Sequence, residues 1–480
     1  MKILHVASEA FPLIKTGGLA DVTYALPKAQ RATGMNVRLL LPGYPSVLDG
    51  LMRLKRAASL GSVFGAADVR LLKGKLKQTG MDVYAIDSPS LFGRSGNPYS
   101  GPDGREWNDN HRRFGLLAWT AARIADGDLD RTWRPDIVHA HDWHAGLTPA
   151  YMAENPARTA KSVFTIHNLA FRGLYPFGES EDLGFSRRMG FPYQFEFFGN
   201  ISFLKAGLIF ADKITTVSPT YAQEVLTDAM GFGMQGVLRN RGNDFSGILN
   251  GLDYDMWNPA ADPQIAARYD MNDPGGKADC KKALQEFFHL DTTATGPLFG
   301  VVSRLADQKG LDLVLSAVDQ ILALDGELVV LGSGEPSLEQ SFRQAAEAHR
   351  GRVSSYIGYD EALSHRLIAG VDALLVPSRF EPCGLTQLMA LRYGALPVVR
   401  KTGGLADTVL PVGENSGDGF LFEEPSTGAL CQSLRDAANL FKDKTAWRNA
   451  VCRAMAKNFS WNQSADRYTA LYKEILGMPS

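Results

Sequence analysis

The chain has 480 residues, too many for one ordinary core and suited to two or three domains of roughly 100–200 residues each. Its 45% apolar and 21% charged content is that of a globular protein, and a formal net charge of −2 argues against nonspecific nucleic-acid binding while leaving room for a local anion site. The four cysteines (Cys280, Cys383, Cys431, Cys452) form no CxxC pair and no apolar run is long enough to span a bilayer, so a reducing, cytoplasmic setting without membrane attachment is expected.

A first apolar run, residues 2–8, meets Glu9 too early to be a secretory signal core. Next comes Lys15-Thr16-Gly17-Gly18-Leu19-Ala20-Asp21, a glycine turn that opens a helical pattern. Runs 36–42 and 83–87 follow, then a turn-rich stretch, 88–110, too long for a routine connection and a candidate functional loop. Run 136–142 leads into His139-Ala140-His141-Asp142-Trp143-His144. That hexapeptide looks metal-binding, but its Asp stands one position early for a di-metal hydrolase. As strand residues, His139 and His141 share a face from which Asp142 points away. A strand-end ligand site using Asp142 and His144 is the stronger reading, and no metal is expected. Run 162–167 ends in His167-Asn168 on the same edge, where open parallel sheets bind ligands. Nine aromatics then crowd residues 171–198: Phe171, Tyr175, Phe177, Phe185, Phe191, Tyr193, Phe195, Phe197 and Phe198. They form either an irregular wall for stacking sugar rings or a local core. Run 213–218 closes the first half.

Residues 250–276, rich in Gly, Pro, Asn and Asp, read as a boundary. Beyond it lie runs 298–303, 327–332, 352–358, 373–377, 396–400 and 419–423. Twelve runs without period-2 alternation predict strands covered on both faces, hence two doubly wound α/β domains. After run 298–303, Arg304 and Lys309 stand five apart, able to converge on a diphosphate. Gly332-Ser333-Gly334 has Ser337 where a dinucleotide fingerprint needs glycine, so nicotinamide chemistry is not expected. In Arg379–Thr386, Glu381 can grip a sugar hydroxyl or compensate a helix dipole, while Gly384, Leu385 and Thr386 offer first-turn N–H groups to a phosphate. Lys401-Thr402-Gly403-Gly404-Leu405-Ala406-Asp407 then repeats residues 15–21 letter for letter. Each copy is either an anion cradle at a helix N-terminus or simply a tight turn. An amphipathic helix, 461–476, follows a break at 458–460, and its pattern alone does not assign it to a domain.

Residues 15–22, 42–45 (Pro42-Gly43-Tyr44-Pro45), 138–146, 165–173, 248–253, 302–310, 378–387 and 402–408 together resemble the bacterial glycogen synthases and plant starch synthases, over essentially the whole chain. The resemblance implies the GT-B architecture. Two Rossmann-like domains, 1–250 on the acceptor side and 251–457 on the nucleotide-sugar side, would face across a deep cleft, with 458–480 returning to the first. It implies transfer of glucose from ADP-glucose to the non-reducing 4-OH of an α-1,4-glucan such as glycogen, with retention, release of ADP, and no metal or cofactor. Closure of the two domains would exclude water.

Residue by residue, the resemblance places Lys15 and Gly18 near the donor, and Asp21, His144 and Asn250 among the substrate contacts. Arg304 and Lys309 would bind the diphosphate, with Leu385 and Thr386 beside it. Glu381, Cys383 and Gly384 would hold the glucose; His167, Asn168 and Asp142 would line the glucosyl site. Tyr359 would lie against adenine, and Tyr99 with the aromatic wall would face donor sugar or glucan. Thr402, Gly403 and Gly404 would close on the phosphates. One departure from the wider retaining GT-B pattern is Met389, eight after Glu381, where many relatives have a second glutamate that grips ribose. Glycogen synthases resemble this chain in lacking it. Competing readings are another retaining glucosyltransferase of this fold, a phosphorylase (for which no pyridoxal-bearing lysine is evident), and a silent nucleotide-sugar or glucan-binding protein.

Overall fold

The computed structural model describes residues 1–185, 190–413 and 416–479. The chain forms two compact units, Met1–Gly251 with Trp461–Ser480, and Leu252–Ser460. In the first, strands β1 (Lys2–Val6), β2 (Asn36–Pro42), β3 (Leu51–Val63), β4 (Ala66–Leu76), β5 (Asp82–Asp87), β6 (Ile137–His141), β7 (Lys161–Ile166), β8 (Leu174–Pro176), β9 (Glu196–Phe197), β10 (Asn200–Ser202), β11 (Lys213–Thr216) and β12 (Phe245–Gly247) succeed one another. The second contains β13 (Leu298–Val302), β14 (Glu327–Gly332), β15 (Val353–Ile357), β16 (Ala373–Val376), β17 (Leu396–Arg400) and β18 (Phe420–Phe422). All twelve apolar runs are strands. Most are buried on both faces because helices cover them, which is why their sequences do not alternate, while edge strand β15 is only half-buried.

The first sheet has the order β12-β11-β7-β6-β1-β2-β5-β4-β3. Its strands are parallel from β12 to β5, and β4 and β3 add an antiparallel edge. From β1 the chain winds outward through β2 and β5, then returns to lay β6 on the opposite side of β1. That reversal opens a crevice beyond the carboxyl ends of β1 and β6. The second sheet, β15-β14-β13-β16-β17-β18, is wholly parallel and reverses between β13 and β16. A small sheet, β8-β10-β9, carries part of the aromatic stretch.

Helix Trp461–Ile475 belongs to the first unit and buries Trp461, Ser464, Ala465, Tyr468 and Tyr472 along one face. This i, i+3/i+4 stripe is the amphipathic pattern of the sequence. Tyr472 reaches deepest. Its hydroxyl lies 2.7 Å from His139 Nδ1 and accepts from Gln30 Nε2 at 3.2 Å. Tyr472→Phe strands both partners in an apolar interior, so it is expected to lower unfolding stability by about 1–3 kcal/mol, read as a shifted urea midpoint at constant slope. No helix among the described residues is long and apolar enough to cross a membrane.

Candidate active site

In each unit several of the residues singled out in the sequence stand at the carboxyl ends of strands. In the first unit, β1 runs into Glu9, which is 2% exposed. Its carboxylate accepts from the Thr16 amide (2.5 Å), the Thr16 hydroxyl (2.8 Å), the Tyr99 hydroxyl (2.5 Å) and the Gly17 amide. Glu9 therefore ties the first glycine turn to the long loop. Burial raises its pKa, and these donors work against that rise. Helix Gly18–Ala32 starts from this turn with no side-chain cap. Lys15 pairs with Asp21 at 3.0 Å and lies over the Phe11 ring, so it is held rather than simply solvated. Tyr99 stacks on His144 with ring centroids 4.6 Å apart, its hydroxyl facing Glu9 and Ser8.

At the end of β6 the backbone of Asp142 adopts φ +58°, turning the chain into a short 3-10 turn, Trp143–Ala145. The buried Asp142 carboxyl accepts from the amides of Trp143, His167 and Asn168, joining the tips of β6 and β7. Burial outweighs those donors and pushes its pKa up to about 8. Nδ1 of His144 and the side-chain oxygen of Asn250 are buried without a hydrogen-bond partner among the described residues. His139 and His141 do share a face, stacked at 4.1 Å, with His5 of β1 beside them. The ring nitrogens of these three lie close enough to suggest a metal. All six already have partners, however: each other, Gln30, Tyr472, Thr165 and His167.

The aromatic stretch divides. Phe195 and Phe197 are buried, and Tyr175, Phe177 and Phe185 pack partly buried against the same core. Phe171, Tyr193 and Phe198 are exposed, and the side chain of Phe191 lies outside the described residues. Of the two alternatives, local core takes the rings that β9 and its neighbours turn inward, and three remain exposed.

In the second unit, β13 leads to Arg304 and a 3-10 turn, Asp307–Lys309. Lys309 Nζ lies 2.6 Å from Glu381, whose carboxylate is 6% exposed and also accepts from the Ser378 hydroxyl at 2.9 Å. Glu381 thus faces a cation, and helix Thr386–Arg392 has no side-chain cap. Arg304 is exposed, and among the described residues its guanidinium has no hydrogen-bond or ion-pair partner. The second glycine turn packs onto the Glu381 loop, the Gly404 amide donating to the Glu381 carbonyl at 3.1 Å. Gly403 has φ +43°, and a Cβ there would lie 1.9 Å from the Glu381 carbonyl; one on Gly404 would lie 2.1 Å from that of Cys383. Both glycines are thus required by close backbone approach, and buried Thr402 precedes them.

Gly384, at φ +74°, turns the chain through Leu385 into helix Thr386–Arg392, and Cys383 is buried beneath. Met389 is buried in the core. Tyr359 stands apart, exposed after β15, with its hydroxyl on Glu361. The residue that sequence reasoning missed is Glu9. Its signal was a carboxylate just after an apolar run, eight residues before the first glycine of the turn.

Known proteins resemble this chain along its whole length. The starch synthase catalytic domain family matches residues 2–240, and the group 1 glycosyl transferases match 285–451. The chain is 49% identical to a glycogen synthase of Pectobacterium carotovorum, covering 99% of both chains. It is 47% identical to one of Paramagnetospirillum magneticum, covering 99% of this chain and 98% of that one. Among solved structures, the catalytic domain of starch synthase IV from Arabidopsis thaliana, bound to ADP and acarbose, superposes with a TM-score of 0.90 at 33% identity over 99% of both chains. A sucrose-phosphate synthase from Thermosynechococcus elongatus, at 16% identity and TM-score 0.62, shares the fold. A chain with two such parallel sheets, matched end to end at nearly half its residues, belongs to the bacterial glycogen synthases, glycosyltransferases of the starch synthase family with the GT-B fold.

Proposed function

We propose that the chain transfers glucose from ADP-glucose to the non-reducing 4-OH of an α-1,4-glucan, retaining the α configuration and releasing ADP. The observation that carries the site assignment is the buried Glu381 carboxylate held 2.6 Å from Lys309 beside exposed Arg304, at the reversal of the second sheet. The Arabidopsis relative bound to ADP and acarbose supports a nucleoside diphosphate and an oligosaccharide as ligands of this family.

On this reading Arg304 and Lys309 take the diphosphate, with the amides of Leu385 and Thr386 and the turn Thr402–Gly404 beside it. Glu381, Cys383 and Gly384 hold the glucose, and Tyr359 offers an exposed ring to adenine. Asp142, His167 and Asn168 line the glucosyl group; Lys15, Gly18, Asp21, His144 and Asn250 complete the contacts. The unpaired buried atoms of His144 and Asn250 favour this, since each needs a partner that a sugar or ribose hydroxyl supplies. Tyr99 stiffens the first turn through Glu9, and Phe171, Tyr193 and Phe198 are the rings left to stack on glucan.

Chemically, the C1–O bond to the diphosphate breaks as the acceptor hydroxyl attacks from the same side, and a phosphate oxygen takes its proton. The departing group gains charge, so fixed cations stabilise the transition state more than the bound donor. Asp142 and Glu381 act by electrostatics and positioning. Incubation of the chain with labelled ADP-glucose or UDP-glucose and glycogen tests the reading. Label entering α-1,4 linkages faster from ADP-glucose is expected; label released only as free glucose, or no turnover of either donor, would overturn it.

A further inference from the structure

Three imidazoles and an amide form one hydrogen-bonded line through the first unit. Gln30 Oε1 lies 2.8 Å from His5 Nε2, His5 Nδ1 lies 2.9 Å from His141 Nε2, and His141 Nδ1 lies 3.1 Å from His167 Nε2. Every contact needs one proton and one lone pair, and a neutral imidazole brings one of each. Burial keeps the rings neutral, holding His5 down to about 4 and His167 to about 3, with His141 well below its ordinary value. The Gln30 oxygen only accepts, so His5 carries its proton on Nε2. His141 must then donate from Nε2 to His5 Nδ1, and His167 from Nε2 to His141 Nδ1. The line ends on His167 Nδ1 as a bare lone pair. Among the described residues that atom has no hydrogen-bond partner, and its ring is only partly buried.

A second branch starts from the same amide. The amide nitrogen of Gln30 donates to the Tyr472 hydroxyl, which gives its own proton to His139 Nδ1, and His139 donates from Nε2 to Thr165. Turning the Gln30 amide round would reverse every proton in both branches. Mixed settings oppose two lone pairs or two N–H groups across a hydrogen-bond distance, a buried mismatch that the fold does not tolerate.

We propose that Gln30, His5 and His141 are positioning residues that set the tautomer of His167, making its Nδ1 an acceptor for a hydroxyl of the donor's glucosyl group. This rests on the reading of His167 as a glucosyl contact. A neutral, accepting ring places electron density near a carbon that becomes cationic as its bond to phosphate breaks; the reversed line would present an N–H dipole there instead.

Spectra of the whole chain labelled with [15N]histidine, assigned by single-histidine replacements, show which ring nitrogen holds each proton. His5, His141 and His167 are all expected as Nε2–H. Gln30→Glu places a carboxyl in the same buried position without a cation, so it takes up a proton. With that proton on the oxygen facing His5, or passed to His5 Nε2, His5 Nδ1 becomes N–H and the line reverses; with it on the oxygen facing Tyr472, the carboxyl copies the amide and the line stands. His167 is expected to show the same tautomer as His5 in either case, and where it becomes Nδ1–H kcat falls about tenfold, as for one lost hydrogen bond, while KM for glycogen holds. A His167 tautomer in that variant that differs from the one His5 shows, or Nδ1–H in the unsubstituted chain, overturns the proposal. If Gln30→Glu does not fold, Gln30→Met removes the group that orders the line. Both tautomers are then expected at His167, and a single Nε2–H form would overturn the proposal equally. Activity that survives His167→Ala would strike the glucosyl-contact reading, which the spectra of His5 and His141 do not depend on.

Discussion

Lys309→Ala is expected to lower kcat by about 10²–10³-fold while KM for ADP-glucose moves only a few-fold. The donor already carries a charged diphosphate when it binds, and many contacts share in holding it. Cleavage adds a further negative charge on the leaving oxygen, and a fixed ammonium acts mainly on that increment. Lys309 is well placed because Glu381, itself held by the Ser378 hydroxyl, fixes its ammonium, so little reorganisation is left for the reaction. The same pairing predicts a second effect. Without Lys309, the Glu381 carboxylate stays buried and uncompensated, and breaking such a pair costs about 3–5 kcal/mol unless the carboxyl takes up a proton. Lys309→Ala should therefore also lower the thermal midpoint. Lys309→Ala with Glu381→Gln should regain stability without regaining kcat. A Lys309→Ala enzyme with normal kcat and only a raised KM would move the leaving-group role elsewhere, with Arg304 the next residue to test.

How much of this was legible in the sequence depended on burial. Strands such as β13 and β16, enclosed by helices, are uninterrupted apolar runs and stand out within one or two residues of their ends. The long hairpin of β3 and β4 does not, because it lies at the sheet edge with Arg53, Lys55 and Arg56 exposed and only one face buried. Its residues look like those of a polar connection. Arg304, Lys309 and Glu381 were legible because strand-to-helix turns place ligand groups close to their strands in sequence. Glu9 and the histidine line were not, since both depend on strand order. His5 meets His139 only because β1 and β6 are neighbours in register, although 134 residues separate the two. The twin glycine turns were legible as a repeat. Their physical reason in the second copy, contact with the carbonyls of Glu381 and Cys383, needed coordinates.

Acidification from pH 7 to pH 5 is expected to loosen the first unit well before the second. His5, His139, His141 and His144 are fully buried, and desolvation holds His5 at about 4 and the other three well below 6.5. Unfolded, each recovers a pKa near 6.5 and takes up a proton that the native state refuses. The unfolded state then binds more protons, so stability is complete above about pH 6.5 and falls as pH drops towards the native values. Each such histidine removes about 2 kcal/mol over this interval. Two carboxyls act in the opposite sense. Asp142, raised to about 8, and Glu9, also raised, keep protons that the unfolded chain has lost, so acid favours their native forms and offsets one or two of the four histidines. A net loss of a few kcal/mol remains, a large part of the stability of an ordinary domain. The strands of the second sheet contain no histidine. Hydrogen exchange at pH 7 and pH 5, corrected for intrinsic rates, should show protection lost in β1, β6 and β7 and kept in β13 and β14. His5→Gln, which keeps an amide for Gln30 and His141, should shallow the slope of stability against pH by about one proton, or 1.4 kcal/mol per pH unit. Equal protection of both sheets at pH 5 would mean that the buried imidazoles hold protons in the native state, and the neutral histidine line would go with them.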